Sequence, residues 1–303
     1  MTVKRVWMAL VLGAAVAACQ KDTGGVKVNL PPLAGLRYFD AVLDTTYMDF
    51  RVVDIVSYAP NAIRARFRTG GDPGGVSNTT FSPPFLPVQT GAHDIRVFLD
   101  SSCTAPCAAD LATNTTVMFD TTITFSPGWN YTFVLYGSAR AKTLHAMVLA
   151  DTTIAPPDAN SSIWVRALNL ASDATGAQGD TTGIGTSGDV FVIPQANTQA
   201  GAPTIGGSLY KAKSAYVRVA TGSLKAVVTR TGDATLTTVA TLNFLDGVVG
   251  TAAVNPVPGA LVKNTAFTVV ILPRSKPGAG VPFSYATPGV FILTDQNPPL
   301  TAP

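Results

Sequence analysis

Glutamate is absent from this chain of 303 residues: all 18 acidic residues are Asp. Glu supports helices, whereas Asp competes with the backbone for hydrogen bonds and favours caps and turns. A mainly helical chain is therefore disfavoured before any segment is read. Charge is scarce as well, at 13% of residues against 47% hydrophobic, which excludes a disordered polyampholyte. Neither a Gly triplet period nor a heptad is present, so collagen and coiled-coil chains are excluded. Histidine occurs only twice and cysteine three times, which leaves little material for metal or nucleophile chemistry. What the chain does hold is Thr, Val, Gly and Pro, the vocabulary of strands and turns. An all-β architecture is expected, and the length suggests two domains.

One long apolar run exists, residues 6–18, behind Lys4 and Arg5. Thirteen residues are too few to span a bilayer but suit the h-region of a signal peptide. The run ends Val16-Ala17-Ala18-Cys19, which resembles the bacterial lipobox, in which the Cys becomes the acylated N-terminus. Cys19 is accordingly the expected lipidation site and residues 1–18 the lipoprotein signal peptide. Gln20 in the next position resembles the pattern sorted to the outer membrane. Loss of Lys4 and Arg5 leaves 19 basic residues against 18 Asp, so the mature protein is nearly neutral despite a pI near 8.8. Such a surface has no electrostatic footprint for nucleic acid. The membrane partner is expected to be reached through the lipid alone.

Cys103 and Cys107 form a close pair in Ser-Ser-Cys-Thr-Ala-Pro-Cys. In an exported protein this spacing reads as a local disulfide. A metal site would need further ligands that local sequence does not offer, so no metal and no cofactor are expected.

Residues 19–33 are polar with Gly and Pro and suit a flexible tether. Beyond them, short apolar or alternating runs recur between turn clusters, the signature of strands. One series occupies 36–42, 49–56, 63–67, 94–99, 116–125, 129–136 and 144–149. A second occupies 163–170, 189–193, 215–219, 224–229, 237–244, 266–272 and 289–293. Two tandem Ig-like antiparallel β-sandwich domains follow, at 34–154 and 162–303, with a linker at 155–161. The two series also match in order. Arg37 answers Arg166 at an offset of 129, and Thr90-Gly91 answers Thr221-Gly222 at 131. Tyr131-Thr132 answers Phe267-Thr268 at 136, and Leu149-Ala150-Asp151 answers Leu293-Thr294-Asp295 at 144.

At these residues the chain resembles a bacterial family known as domain of unknown function 4397 (DUF4397). Arg166 and Asn169 match its opening strand, Thr221-Gly222 its turn, and Tyr131-Thr132 with Gly137 its late strand. Asp40 stands where the family usually has Asn, and Phe267 and Pro273 stand where it has Tyr and Gly. The resemblance implies tandem domains on a secreted or lipid-anchored protein. The family has no established activity, so the resemblance implies none.

Catalytic constellations are thin. His93 faces the same side of its strand as Ile95, Val97 and Leu99, and its counterpart in the second series is Leu224, so a structural role is expected. His145 lies mid-strand, and no Gly-x-Ser-x-Gly elbow supplies a nucleophile. Asp40, Asp44, Asp49 and Asp54 are the candidates for paired-carboxylate hydrolysis, a minor alternative because turns use Asp anyway. The string Gly183-Ile-Gly185-Thr-Ser-Gly188 precedes a strand rather than a helix and is not a dinucleotide fingerprint. The long loop 172–188, with Asp173 and Asp180, is a candidate binding loop. Trp129, at the start of a strand after Pro127-Gly128, is the aromatic expected at the surface. The expected function is a non-enzymatic envelope protein of the outer membrane, adhesive or scaffolding, with an envelope glycan or protein as possible partner. A carbohydrate-binding accessory module and a cryptic hydrolase are the alternatives. Replacing Cys19 by Ala is expected to abolish incorporation of labelled fatty acid, read by gel autoradiography. Persistent label in that variant would place any acylation elsewhere.

Overall fold

The computed structural model describes residues 31–45, 47–55, 63–65, 69–70, 82–100, 116–152, 161–171, 187–275 and 288–300. The described residues from Leu33 onward belong to one compact unit, which carries all the elements below. The first half of that unit holds β1 (Leu33–Val42), β2 (Tyr47–Val52), β3 (Ile63–Ala65), β4 (Thr69–Gly70), β5 (Leu86–Gln89), β6 (Gly91–Asp100), β7 (Val117–Phe125), β8 (Asn130–Gly137) and β9 (His145–Asp151). The second half holds β10 (Ser162–Asn169), β11 (Ser187–Pro194), β12 (Ile205–Leu209), β13 (Val217–Ala220), β14 (Leu224–Arg230), β15 (Ala240–Asn243), β16 (Ala266–Leu272) and β17 (Gly289–Gln296). The described residues are all-β, with no helix among them.

Each half is two sheets face to face. In the first, β4-β1-β8-β9, with β5 also on β1, covers β3-β2-β6-β7. In the second, β13-β10-β16-β17 covers β12-β11-β14-β15. The two strand orders correspond: β1 with β10, β8 with β16, β9 with β17, and β2, β6 and β7 with β11, β14 and β15. Pairing is mostly antiparallel, but each half has one parallel pair, β1 with β8 and β10 with β16. That departs from the purely antiparallel expectation. The opening strand of each half returns to lie beside its late strand, and this brings Arg37 opposite Thr132 and Arg166 opposite Thr268.

Alternation explains where the cores lie. On β1, Leu36, Tyr38 and Val42 point into the first core with Phe50, Ile95, Phe133 and Leu135. On β10, Ile163, Val165 and Ala167 point into the second core with Val190, Val228, Phe267 and Ile271. The intervening residues on both strands are also buried. A strand covered on both faces reads as a continuous apolar run, which is why 36–42, 131–136, 163–170 and 266–272 show little alternation. Strand β7, open on one side, keeps it.

The second face of these strands is covered by the other half. A third apolar cluster joins Phe39, Ala41, Val134, Tyr136 and Leu149 to Leu168, Leu170, Val270, Phe291 and Leu293. The rings of Phe39 and Phe291 sit 5.0 Å apart. Near the end of β1, Lys211 Nζ lies 5.7 Å from the Tyr136 ring, and Lys211 N donates to Asn169 O at the end of β10. Near the beginnings, Arg37 meets Asp295 and Arg166 meets Asp151. Start therefore lies with start and end with end: β1 and β10 run in the same general direction. The result is four stacked sheets with three apolar layers between them.

Candidate functional site

The polar centre of the molecule is built from residues at equivalent positions of the two halves, and each half completes the other. Arg37 Nε donates to Thr132 Oγ1 at 2.7 Å, and Arg166 Nε donates to Thr268 Oγ1 at 2.7 Å. The Arg37 guanidinium stacks over Phe85 at 4.3 Å, just before β5, and that of Arg166 over Tyr216 at 4.5 Å, just before β13. Both Arg side chains are buried. Their charge partners come from the opposite half. Arg37 Nη2 donates to Asp295 Oδ1 at 2.5 Å, at the end of β17. Arg166 donates to both oxygens of Asp151, at 2.8 and 2.6 Å, at the end of β9. The arms are crossed.

The two arms differ in detail. Asp295 Oδ2 also accepts from the hydroxyls of Tyr216, at 2.8 Å, and Thr268, and lies 3.6 Å from Arg166 Nη2. Arg166 thus faces two carboxylates and Arg37 one. Burial works against both cations. For Arg37 it wins over Asp295 and pulls the guanidinium below its ordinary value. For Arg166 the combined pull of Asp151 and Asp295 outweighs burial, and its pKa is raised. Burial and the neighbouring Asp295 push the Tyr216 phenol far up, which keeps it a hydrogen-bond donor. Arg37 also donates from Nη1 to Ser82 Oγ and to Thr294 O, so segment 82–85 of the first half is tied to β17. Thr294 N donates to the same Ser82 Oγ. Beside it a cleft of about 20 Å³, lined by Ser82, Phe267 and Thr294 among others, has room for a water molecule.

A second matched pair sits at the other end of the opening strands. Asp40 Oδ1 accepts from Val42 N at 2.8 Å, and Asn169 Oδ1 accepts from Ala171 N at 3.0 Å. Asn169 uses its Nδ2 to donate to Ser208 O at 2.7 Å. The corresponding atom of Asp40, Oδ2, is buried with no hydrogen-bond partner. Burial, with Asp44 adding to it, raises the Asp40 pKa well above the carboxylate range. Burial without a second partner thus disfavours the charged form of this side chain.

The sequence-derived candidates fall out as follows. Cys19, Cys103, Cys107, Asp173 and Asp180 lie outside the described residues. Trp129 is 38% exposed, the one aromatic among the exposed large apolar side chains described, and stacks on Tyr131 at 6.3 Å. Of the paired-carboxylate candidates, Asp44 accepts from Ser138 Oγ and from the N–H groups of Ala139 and Arg140. Asp49 is buried 3.3 Å from Arg51, and Asp54 lies 3.0 Å from His93 Nδ1. His93 stacks on Phe125 and His145 lies against Tyr136, so the structure does not bring the two histidines together. Among the described residues no three His, Cys, Asp or Glu side chains gather as a metal ion would need.

Arg37, Arg166, Asp151 and Asp295 were visible as repeat markers, but not as each other's partners. Phe85 and Tyr216 carried no sequence signal beyond their position ahead of a short strand. Residues 34–176 match the family model described as Domain of unknown function (DUF4397). The match takes in the first half and the opening strand β10, with both arginines and Asp151, but stops before Asp295. No curated protein matches the chain.

Breaking one buried pair leaves its partner charged and desolvated, at a cost of about 3–5 kcal/mol. Arg166→Ala and Asp151→Ala are each expected to lose that much in urea titration, and the double variant to lose less than their sum. Additive losses would mean that the contact carries no coupling. Asp40 gives a pH test. Its folded pKa lies above the unfolded value, so the native state binds more protons and stability falls as pH rises from about 4 through the folded pKa. Asp40→Asn is expected to remove that decline and raise the melting temperature at neutral pH. An unchanged pH profile would contradict the assignment.

Proposed function

We propose that the chain is a non-enzymatic, lipid-anchored protein of the bacterial outer membrane, acting as a rigid scaffolding or adhesive module. In this reading both halves are copies of the DUF4397 domain, arranged in tandem. The observation that carries it is the crossed Arg37–Asp295 and Arg166–Asp151 pairing over a shared apolar cluster. Two domains joined by an ordinary linker move independently. Here separation would expose a third core and leave four buried charges without partners, so the pair moves as one body. That suits a spacer or a display platform. The matching strand orders of the two halves support the tandem reading. The lipobox-like Val16-Ala17-Ala18-Cys19 supports the anchor.

Of the carboxylates considered for hydrolysis, Asp44 organises the turn after β8, Asp49 pairs with Arg51 and Asp54 with His93, which favours a structural use of them. Glycan capture is the second reading, and it rests on the exposed Trp129. Protease treatment of intact cells, beside cells with a permeabilised outer membrane, is the deciding experiment. Digestion in intact cells selects the adhesive form, and protection until permeabilisation selects the scaffold. Glycan-array binding that disappears in Trp129→Ala would replace both with the glycan reading. Substrate turnover abolished by a single Asp replacement would overturn the non-enzymatic assignment.

A further inference from the structure

Twelve large apolar side chains are exposed among the described residues, and six of them lie within residues 245–261. This segment follows β15 and returns to the start of β16 as a finger. Val248 and Val257 exchange backbone hydrogen bonds at 3.0 and 2.9 Å, and Thr251 N donates to Val254 O at 2.8 Å to close the turn. At the base, Ala260 N donates to Leu245 O at 2.7 Å and Leu261 N to Asp246 O at 2.9 Å. Gly247 has φ +74, and a Cβ there would meet Val257 O at 2.5 Å. The two sides of the finger therefore approach too closely for any other residue, and the finger is preformed. Between Asp246 and Lys263 it carries no charged residue at all. Val249 at 61%, Val254 at 53% and Val257 at 52% exposure are gathered on one short segment, and a gathering of that kind marks an interaction surface.

The finger's position identifies what it meets. Behind its base Asn264 N donates to Ser162 O at the beginning of β10, and Ala260 O accepts from Gly222 N in the turn between β13 and β14. β1 and β10 lie start with start, so the same end of the body carries Leu33, where the chain enters β1. Leu33 is 49% exposed, and its carbonyl accepts from Gly128 N beside the exposed Trp129. Eight of the twelve exposed apolar side chains thus share the end at which the N-terminal segment arrives. The 13 residues from Gln20 to Pro32 span at most about 47 Å when fully extended. A lipid on Cys19 would tether the body by this end.

We propose that the finger, with Leu33 and Trp129, forms a tip that seats in the headgroup boundary of a lipid bilayer. Its uncharged valine surface suits the apolar side of that boundary, and Trp129 suits the interface where amphipathic rings collect. The direction of approach rests on the lipid-anchor reading above, while the apolar tip stands independently of it.

The test uses the full chain as recovered from cells, carrying Val249→Trp. It is mixed with vesicles of three parts phosphatidylethanolamine to one part phosphatidylglycerol, with and without acyl chains brominated near the carbonyl end. The emission added over that of the wild-type chain, which holds Trp129 and Trp164, is expected to shift to the blue and to be quenched by the brominated lipid, as for a side chain at the acyl boundary. Val254→Trp, at the other side of the finger, is the second reporter should the first variant melt below wild type. Unshifted and unquenched emission from both reporters, in chains that float with the vesicles, overturns the proposal. Absence of fatty-acid label on Cys19 would remove the anchor reading, yet the quenching would still decide the tip.

Discussion

Two buried guanidinium groups constrain everything else in this protein. Arg37 and Arg166 lie on strands whose neighbours are apolar on both faces, and neither can remain charged there without a carboxylate. Each finds it on the last strand of the opposite half. The apolar cluster of Phe39, Leu168, Phe291 and their neighbours supplies the attraction between the halves. Attraction of that kind is non-directional. Direction and register come from the crossed pairs, because sliding one sheet over the other by a residue would leave both cations orphaned.

The crossing has geometric consequences. With start beside start, the turns at corresponding ends of the two sandwiches share one end of the body, and so do the entering chain at Leu33 and the finger at residues 245–261. The halves follow one plan but are not interchangeable. Asn169 satisfies both its amide groups, whereas Asp40 in the same place leaves Oδ2 buried without a partner, which disfavours its charged form. Arg166 answers two carboxylates and Arg37 one. The shared plan keeps the interlock, while these differences give each half its own local electrostatics.

Much of the architecture was legible in the residues. The absence of Glu, the turn clusters and the short apolar runs indicated an all-β chain, and the ordered matches at Arg37/Arg166 and Asp151/Asp295 indicated an internal repeat. The parallel pairing of β1 with β8 was not legible, because periodicity reports which face a residue occupies and not the direction of its neighbour. Nor was the interlock. A matched Arg and a matched Asp look the same in sequence whether they pair within a repeat or across it. Nor is the apolar finger legible, for a related reason: its valines look like strand residues until their solvent exposure is known.

By itself, then, the sequence determined the all-β class of structure and displayed the ordered matches and the motif at Cys19, since these depend on local propensity and spacing along the chain. Only the tertiary structure decided which Arg meets which Asp, that the two sandwiches share a third core, and that the exposed apolar side chains collect at one end. Those outcomes depend on contacts between the two halves, some between residues more than 250 positions apart, as with Arg37 and Asp295. Such contacts arise from closing the two sheets of each half and stacking the halves, a step that no local pattern encodes.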